Sequence, residues 1–317
     1  MSSPFRVALA QMAPVLFDRD RTLAKVVERV RQAGEEGASL VVFGECLVPG
    51  YPVWVSRTDG ARFDAQDQKE LHALYLDQAV QVEAGHLEGV CAEARKGGVA
   101  VILGVLERPR DRGGKSAYAS CIYIDAQGSI GSVHRKLMPT YEERLTWSHG
   151  DGAGLVTHSL GPFTVGALNC WENWMPMARA ALHAQGEDLH VAIWPGAERN
   201  TKDITRFLAM EGRSFVVSVC GLLRSEDVPA GVPQRERIVP EPGELLCDGG
   251  SCVAGPDGNW LLEPVVGREA LEIVELDPRA VLEECQNFDP SGHYSRPDVL
   301  HLTVDRRRQR VADWVDE

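Results

Sequence analysis

The chain has no basic surplus. Its 317 residues carry 33 Lys and Arg against 46 Asp and Glu, a formal net charge of −13. Phosphate-rich partners need a positive surface, so this balance argues against nucleic acid and anionic membranes. The one basic cluster, Arg306-Arg-Arg-Gln-Arg310, reads as a solvated tail or a subunit contact. No apolar run approaches the roughly 20 residues that cross a bilayer. None of the eight cysteines sits in a Cys-x-x-Cys pair, and none of the nine histidines in a His-x-x-x-His pair. The common metal-ligand spacings are therefore missing, and no metal or organic cofactor is expected. The opening Met1-Ser-Ser-Pro-Phe-Arg lacks a charged-then-apolar pattern, and the expectation is a reduced, cytoplasmic setting.

Strand-like and helix-like segments alternate along the chain. Phe5–Gln11 reads as a strand, and Leu23, Val26, Val27, Val30 and Ala33 recur at helical spacing between 20 and 37. Leu40–Phe43 is a short run without alternation, the pattern of a strand covered on both faces. A helical region is expected over 66–96, then strands at 99–106, 121–125 and 129–134. After a polar segment at 136–154 come a strand, a second strand 163–169, a helix near 173–185 and a strand 189–194. Asn200 or Thr201 is placed to cap a helix carrying Ile204, Phe207 and Leu208 inward. A strand follows at 215–221, and two late strands flank the turn Pro256–Asn259. Segment 223–249, with four prolines, is too long for a simple connector and suggests a lid or a subunit contact. The pattern predicts one α/β domain over 1–300, with a tail at 301–317 as a subunit contact.

Three reactive side chains share one local context. Glu45 follows the strand at 40–43, Lys136 the strand at 129–135, and Cys170 ends the strand at 163–169. In α/β folds, residues at the carboxyl ends of strands converge on one crevice. A helix is expected directly after Cys170, capped by Asn173 and tolerating Pro176 in its first turn. Its positive end would favour thiolate, the nucleophilic form. Glu45 can take the thiol proton, and Lys136 can hold Glu45 ionised and donate to charge developing on substrate.

These segments resemble those of the nitrilase superfamily of carbon–nitrogen hydrolases, and within it the nitrilase branch. Glu45 lies in Val42-Phe-Gly-Glu-Cys-Leu-Val-Pro-Gly-Tyr-Pro52, Lys136 in His134-Arg-Lys-Leu-Met-Pro-Thr-Tyr-Glu-Glu-Arg144, and Cys170 in Asn169-Cys-Trp-Glu-Asn173. Gly292-His-Tyr-Ser-Arg-Pro-Asp298 is similar to a segment that true nitrilases carry near the C-terminus. The resemblance implies a four-layer α-β-β-α sandwich, a homodimer or larger homo-oligomer, and a second glutamate, Glu143. Filament formation is in doubt, because only about twenty residues follow the Gly-His-Tyr motif, and relatives assemble through longer tails.

The implied reaction converts a nitrile and water to a carboxylic acid and ammonia through a covalent Cys170 intermediate. Glu45 is the general base and acid, and Lys136 with the Trp171 N–H forms the oxyanion pocket. Tyr51, Trp171 and Trp194 are the expected substrate contacts. Loops 51–65, 140–150 and 195–200 would shape the pocket, with a lean toward aryl or arylalkyl substrates. His134, Arg135, Trp54, Trp147, Trp174 and Cys46 read as structural, and His293 and Arg296 as ordering the C-terminus against a neighbouring subunit. Two rival readings stay open at this point. One is an amide- or cyanide-hydrolysing member of the same superfamily. The other is a non-catalytic protein that uses Cys170 as a redox-sensing thiol.

Overall fold

The computed structural model describes residues 4–313 and 315. Met1, Ser2 and Ser3 and three positions of the expected tail (314, 316 and 317) lie outside the described residues. In chain order the elements are β1 (Phe5–Gln11), α1 (Arg19–Glu35), β2 (Leu40–Phe43), α2 (Trp54–Arg57), α3 (Gln66–Asp77), α4 (Glu88–Gly97), β3 (Ala100–Glu107), β4 (Tyr118–Ile124) and β5 (Ile130–Arg135). Then follow β6 (His158–Leu160), β7 (Phe163–Asn169), α5 (Pro176–His183), β8 (Leu189–Trp194), α6 (Glu198–Thr201), α7 (Ile204–Gly212), β9 (Phe215–Cys220), β10 (Leu222–Arg224), α8 (Arg235–Ile238), β11 (Leu245–Ala254), β12 (Trp260–Val266), β13 (Ala270–Leu276) and α9 (Arg279–Glu284).

The strands form two mixed sheets. One has the order β13-β1-β2-β3-β4-β5, the other β10-β11-β9-β8-β7-β6, with β12 paired to β11. Side-chain alternation sorts each strand between two cores. In β1, Ala8 and Ala10 pack under α1 and α4 with Val26, Val30, Val90 and Ala94. Val7 and Leu9 instead face Val191, Ile193, Val217 and Val219 of the other sheet. Beyond that second sheet, Ala192, Trp194 and Val216 pack under Ile204, Leu208 and Ala209 of α7, and Leu168 under Ala178, Ala181 and Leu182 of α5. The layers therefore run helix, sheet, sheet, helix, the α-β-β-α sandwich that the sequence predicts.

Four expectations change. The helical region at 66–96 is two helices, α3 and α4. Between them the chain turns back to pair Val80 with the edge of β3, and Gly85 closes a short turn in the left-handed conformation (φ 81°). The helix expected after Thr201 is α7, which starts only at Ile204, while Asn200 and Thr201 close the short α6 before it. Thr201 does not cap; its hydroxyl donates to the Gly250 carbonyl at 2.7 Å. Phe207 faces outward, 48% exposed, whereas Ile204 and Leu208 are buried. The fourth change, at Cys170, concerns the site and is described below.

The Pro-rich segment contains α8 and is anchored through Val228, Val232, Ile238 and Val239, which pack with Trp54 and Tyr75. The tail crosses its own chain: Arg308 pairs with Asp151 at 3.0 Å and donates to the Val133 carbonyl at 2.7 Å. Among the described residues no helix is long and apolar enough to cross a membrane.

Two glycines permit close approach where Glu45 leaves β2, Gly104 against the chain of its own sheet and Gly44 against the other sheet. A Cβ on Gly104 would lie 2.2 Å from the Gly44 carbonyl and 2.7 Å from the Glu45 Cα. One on Gly44 would lie 2.6 Å from the Gly221 nitrogen. All of these obstacles are backbone, so they cannot swing aside. Gly104→Ala is expected to destabilise the fold by about 1–3 kcal/mol through overpacking. It should also depress whatever chemistry depends on Glu45. Denaturant melts of the purified variant check the first, and an unchanged midpoint would contradict this packing.

Candidate active site

Four strand ends converge. Glu45 lies two residues past β2, Lys136 directly follows β5, Cys170 directly follows β7, and Trp194 ends β8. The Glu45 N–H donates across the gap between the sheets to the Trp194 carbonyl (3.0 Å), and the Lys136 N–H to the Ala119 carbonyl (2.8 Å). Main-chain bonds thus fix where two of the charged side chains begin.

The charges meet on one ammonium. Lys136 Nζ is 2.9 Å from Glu45 Oε1 and 2.7 Å from Glu143 Oε2, and all three side chains are buried. Glu143 is held further by the Thr140 N–H at 2.6 Å and the Tyr51 hydroxyl at 2.8 Å. Trp147 closes one side, its ring centroid 5.4 Å from Nζ. Among the described residues no hydrogen-bond donor reaches Glu45 Oε2. Donor atoms of Glu45, Glu143 and Cys170 lie within 4.8 Å of one another, a grouping able to hold a cation. The Lys136 ammonium already sits against both carboxylates.

Burial sets the protonation of this group. Loss of solvent pushes the Glu45 carboxyl up to about 8, against the pull of Lys136 and with the help of Glu143. The Cys170 thiol is pushed well above its ordinary value, first by burial and then by the charge of Glu45. Burial draws Lys136 down, but the surrounding anionic groups outweigh it and the net shift is upward. One cation balances one anion here, so a second negative charge in the same space is held off by the low dielectric.

The turn carrying the sulfur differs from the expected helix start. Cys170 begins a five-residue 3₁₀ turn, Cys170–Trp174, and α5 starts only at Pro176. Cys170 itself is left-handed, φ 48°. Asn173 does not cap a helix, because its amide turns inward. The helix dipole invoked to favour thiolate is therefore displaced from the sulfur, and burial dominates.

Glu172, to which the sequence reading gave no role, ties this turn to the lysine strand. Its carboxylate accepts from the Asn169 N–H (2.8 Å), the Leu137 N–H (2.6 Å) and His134 Nε2 (3.0 Å). His134 and the hydrogen bonds together outweigh burial and keep its carboxyl below the usual range. One legible signal was its place three residues after Asn169, the spacing of a reciprocal cap. Arg135 is likewise structural, paired with Glu107 at 2.9 Å and Asp111 at 2.9 Å.

A cavity of about 980 Å³ opens onto Cys170. All three expected loops contribute, through Tyr51–Arg57, Thr140–Glu143 and Pro195–Asn200, and so does the start of β11 with Cys247 and Asp248. Tyr51 and Trp171 line it; Trp194 does not. The Trp194 indole is fully buried on the helix side of β8 and donates to Ser218 Oγ at 3.3 Å. The walls also carry Arg57, Glu142, Glu198 and Arg199. Trp54 packs edge-on to Tyr75, and Cys46 lies 3.2 Å from the Tyr75 hydroxyl, both away from the cavity.

The chain matches the carbon-nitrogen hydrolase family model over residues 6–283. It is 34% identical over 307 residues to an aliphatic nitrilase of Sinorhizobium fredii, covering 95% of this chain and 96% of that one. It is 31% identical over 343 residues to an arylacetonitrilase of Macrophomina phaseolina, covering 100% and 96%. The fold is similar to a carbon–nitrogen hydrolase from Helicobacter pylori, with a TM-score of 0.69 at 19% identity over 93% of this chain and 97% of that one. A buried Glu–Lys–Glu cluster beside a cysteine at converging strand ends, a family match across most of the chain and full-length relatives above 30% identity agree: the chain belongs to the carbon–nitrogen hydrolase (nitrilase) superfamily, in its nitrilase branch.

Proposed function

We propose that the protein is a nitrilase, hydrolysing R–CN with two waters to R–COOH and ammonia at Cys170. The observation that carries this reading is the Lys136 ammonium held between Glu45 and Glu143 with the Cys170 sulfur beside them at the cavity floor. Full-length relatives named as nitrilases support it.

In this mechanism ionised Glu45 takes the Cys170 proton and the sulfur attacks the nitrile carbon. The nitrile nitrogen takes that proton back from Glu45, leaving a thioimidate. Glu45 then draws a proton from water as the hydroxyl adds to the same carbon. Return of that proton to nitrogen gives the amine. Transfer of the new hydroxyl's proton to the same nitrogen through Glu45, as C=O forms and the C–N bond breaks, expels ammonia and leaves an acyl-thioester. A second water, activated in the same way, releases the acid and returns the proton to sulfur. Lys136 and the Trp171 N–H stabilise the anion at each addition, and Glu143 with Tyr51 holds Lys136 in place. No step calls for a metal or organic cofactor. The cavity wall carries Tyr51 and Trp171 as its aromatics among charged residues, which suits small aliphatic nitriles as well as arylalkyl ones. A redox-sensing role fits poorly, because sensor thiols are accessible and acidic, whereas Cys170 is 2% exposed and its thiol is shifted upward.

We also propose a homodimer in which a second copy covers the apolar face of α5 and α7. Trp174, Met177, Phe207 and Met210 are exposed there, and Arg179 lies over the Phe207 ring, which joins the two helices into one patch. The reading keeps the compartment cytoplasmic and the tail as a further contact between subunits.

Cys170→Ala and Glu45→Gln should each abolish ammonia release from a panel of aliphatic and arylalkyl nitriles. Turnover of amides but no nitriles by the parent protein would move the assignment. The pH profile has a definite sign. Below about 8 Glu45 keeps its proton and cannot take the thiol's, so the rate of Cys170 alkylation by iodoacetamide should climb with pH and level off above about 8. Glu45→Gln should remove that inflection; a flat wild-type profile between pH 6 and 9 would contradict it. Sedimentation velocity should find a dimer, and Phe207→Glu with Met177→Glu should return it to monomer.

A further inference from the structure

Asn173 has no part in the chemistry above, yet its side chain is wholly buried close to the nucleophile. Its Nδ2 lies 2.8 Å from the Cys170 carbonyl oxygen and 3.4 Å from that of Leu168. Carbonyl oxygens only accept, so the atom between them is the NH₂ group. The other end, Oδ1, must then accept, and it lies 2.7 Å from His190 Nε2. Across the ring, His190 Nδ1 lies 2.8 Å from Glu187 Oε1. An imidazolium facing a carboxylate satisfies that contact, and so does a neutral ring facing a carboxylic acid. Both arrangements place a hydrogen on Nε2 and aim it at Asn173.

The consequence passes through one peptide bond. The Cys170–Trp171 peptide is a plane in which the Cys170 C=O and the Trp171 N–H point in opposite directions. Holding the carbonyl on one side sets the N–H on the other. That N–H opens the 3₁₀ turn and lies on the side of the Cys170 sulfur, where it favours the thiolate. The far side of Asn173 is fixed as well: Arg179 donates to its main-chain carbonyl at 2.7 Å. The Glu187 end is equally tight, since a Cβ on Gly166 would lie 2.0 Å from Glu187 Oε1.

We propose that Glu187, His190 and Asn173 form a buried positioning relay that locks the Cys170–Trp171 peptide plane and thereby aims the Trp171 N–H at the anion formed on substrate. The relay rests on the nitrilase reading, because it serves the oxyanion of that reaction. It touches neither substrate nor the sulfur.

Two rates separate this role from simple support of the fold. Hydrolysis of butyronitrile or phenylacetonitrile builds an anion that needs the Trp171 N–H. Alkylation of Cys170 by iodoacetamide, in which an S–C bond forms as C–I breaks and iodide leaves, builds none. Asn173→Asp, which cannot donate to the Cys170 carbonyl, should lower kcat by about 10²-fold, as a misplaced catalytic group does. KM should stay at its wild-type value. The alkylation rate of Cys170, read by peptide mass spectrometry, should fall far less than kcat, because the Trp171 N–H is only a minor contributor to the thiol's ionisation. His190→Phe should behave in the same way. His190→Gln, whose amide can still donate to Asn173, should recover part of the loss; this pair decides the matter should Asn173→Asp fail to fold. Parallel loss of both rates, no loss in either, or equal loss in the Phe and Gln variants would overturn the relay while leaving the parent reaction standing. Continued turnover by Cys170→Ala would overturn the reaction and the relay together.

Discussion

Everything in this site is arranged around one buried ammonium. An isolated charge in a low-dielectric interior is heavily penalised, and Lys136 is tolerated because carboxylates contact it at 2.9 and 2.7 Å. The count of charges then matters more than any single contact. One lysine neutralises one carboxylate, Glu143, which also has two donors of its own. Glu45 is left as the group that must exchange its proton with a neighbour. The same imbalance that raises its affinity for a proton would, in the proposed mechanism, make it a stronger base toward the sulfur and a ready acid toward nitrogen.

Backbone close approach makes the cluster possible. Glu45 comes from one sheet and Cys170 from the other; the two touch where Gly44 meets Gly221 without side chains, and Gly104 lets the chain carrying Glu45 cross over β3. Glu172 then links the lysine strand to the cysteine turn through main-chain donors on both. The reactive groups are therefore placed by main chain and by buried carboxylates, while the loops around the cavity supply its shape.

Much of this is readable in the sequence, for a physical reason. A strand buried on both faces is a run of apolar residues, and a polar residue that ends such a run stands out. Glu45 and Cys170 do so after β2 and β7, and the layered fold follows from the same runs; Lys136 follows the polar, partly exposed edge strand β5 and is marked instead by its motif segment. Trp194 misleads because position relative to a motif says nothing about which face a side chain takes. Strand alternation in β8 sends Val191 and Ile193 to the other sheet, and so sends Ala192 and Trp194 to the helix layer. Asn173 misleads differently: its type and spacing suit a helix cap, but a 3₁₀ turn intervenes and rotates it inward. The contacts of Glu172 with Leu137 and His134, and of His190 with Asn173, span sequence separations that a single chain does not reveal.

The pairing of two acids around one lysine also bears on how a finished turnover ends. On the proposed hydrolysis, a nitrile would enter uncharged and add nothing to the electrostatic load of the cavity. The acid it would become is ionised at neutral pH, and it would form beside Glu143, whose counter-ion is already engaged. Like-charge repulsion in a solvent-poor hollow would favour departure of such an anion. The cluster proposed to activate the sulfur would thus also help to empty the cavity behind each turnover.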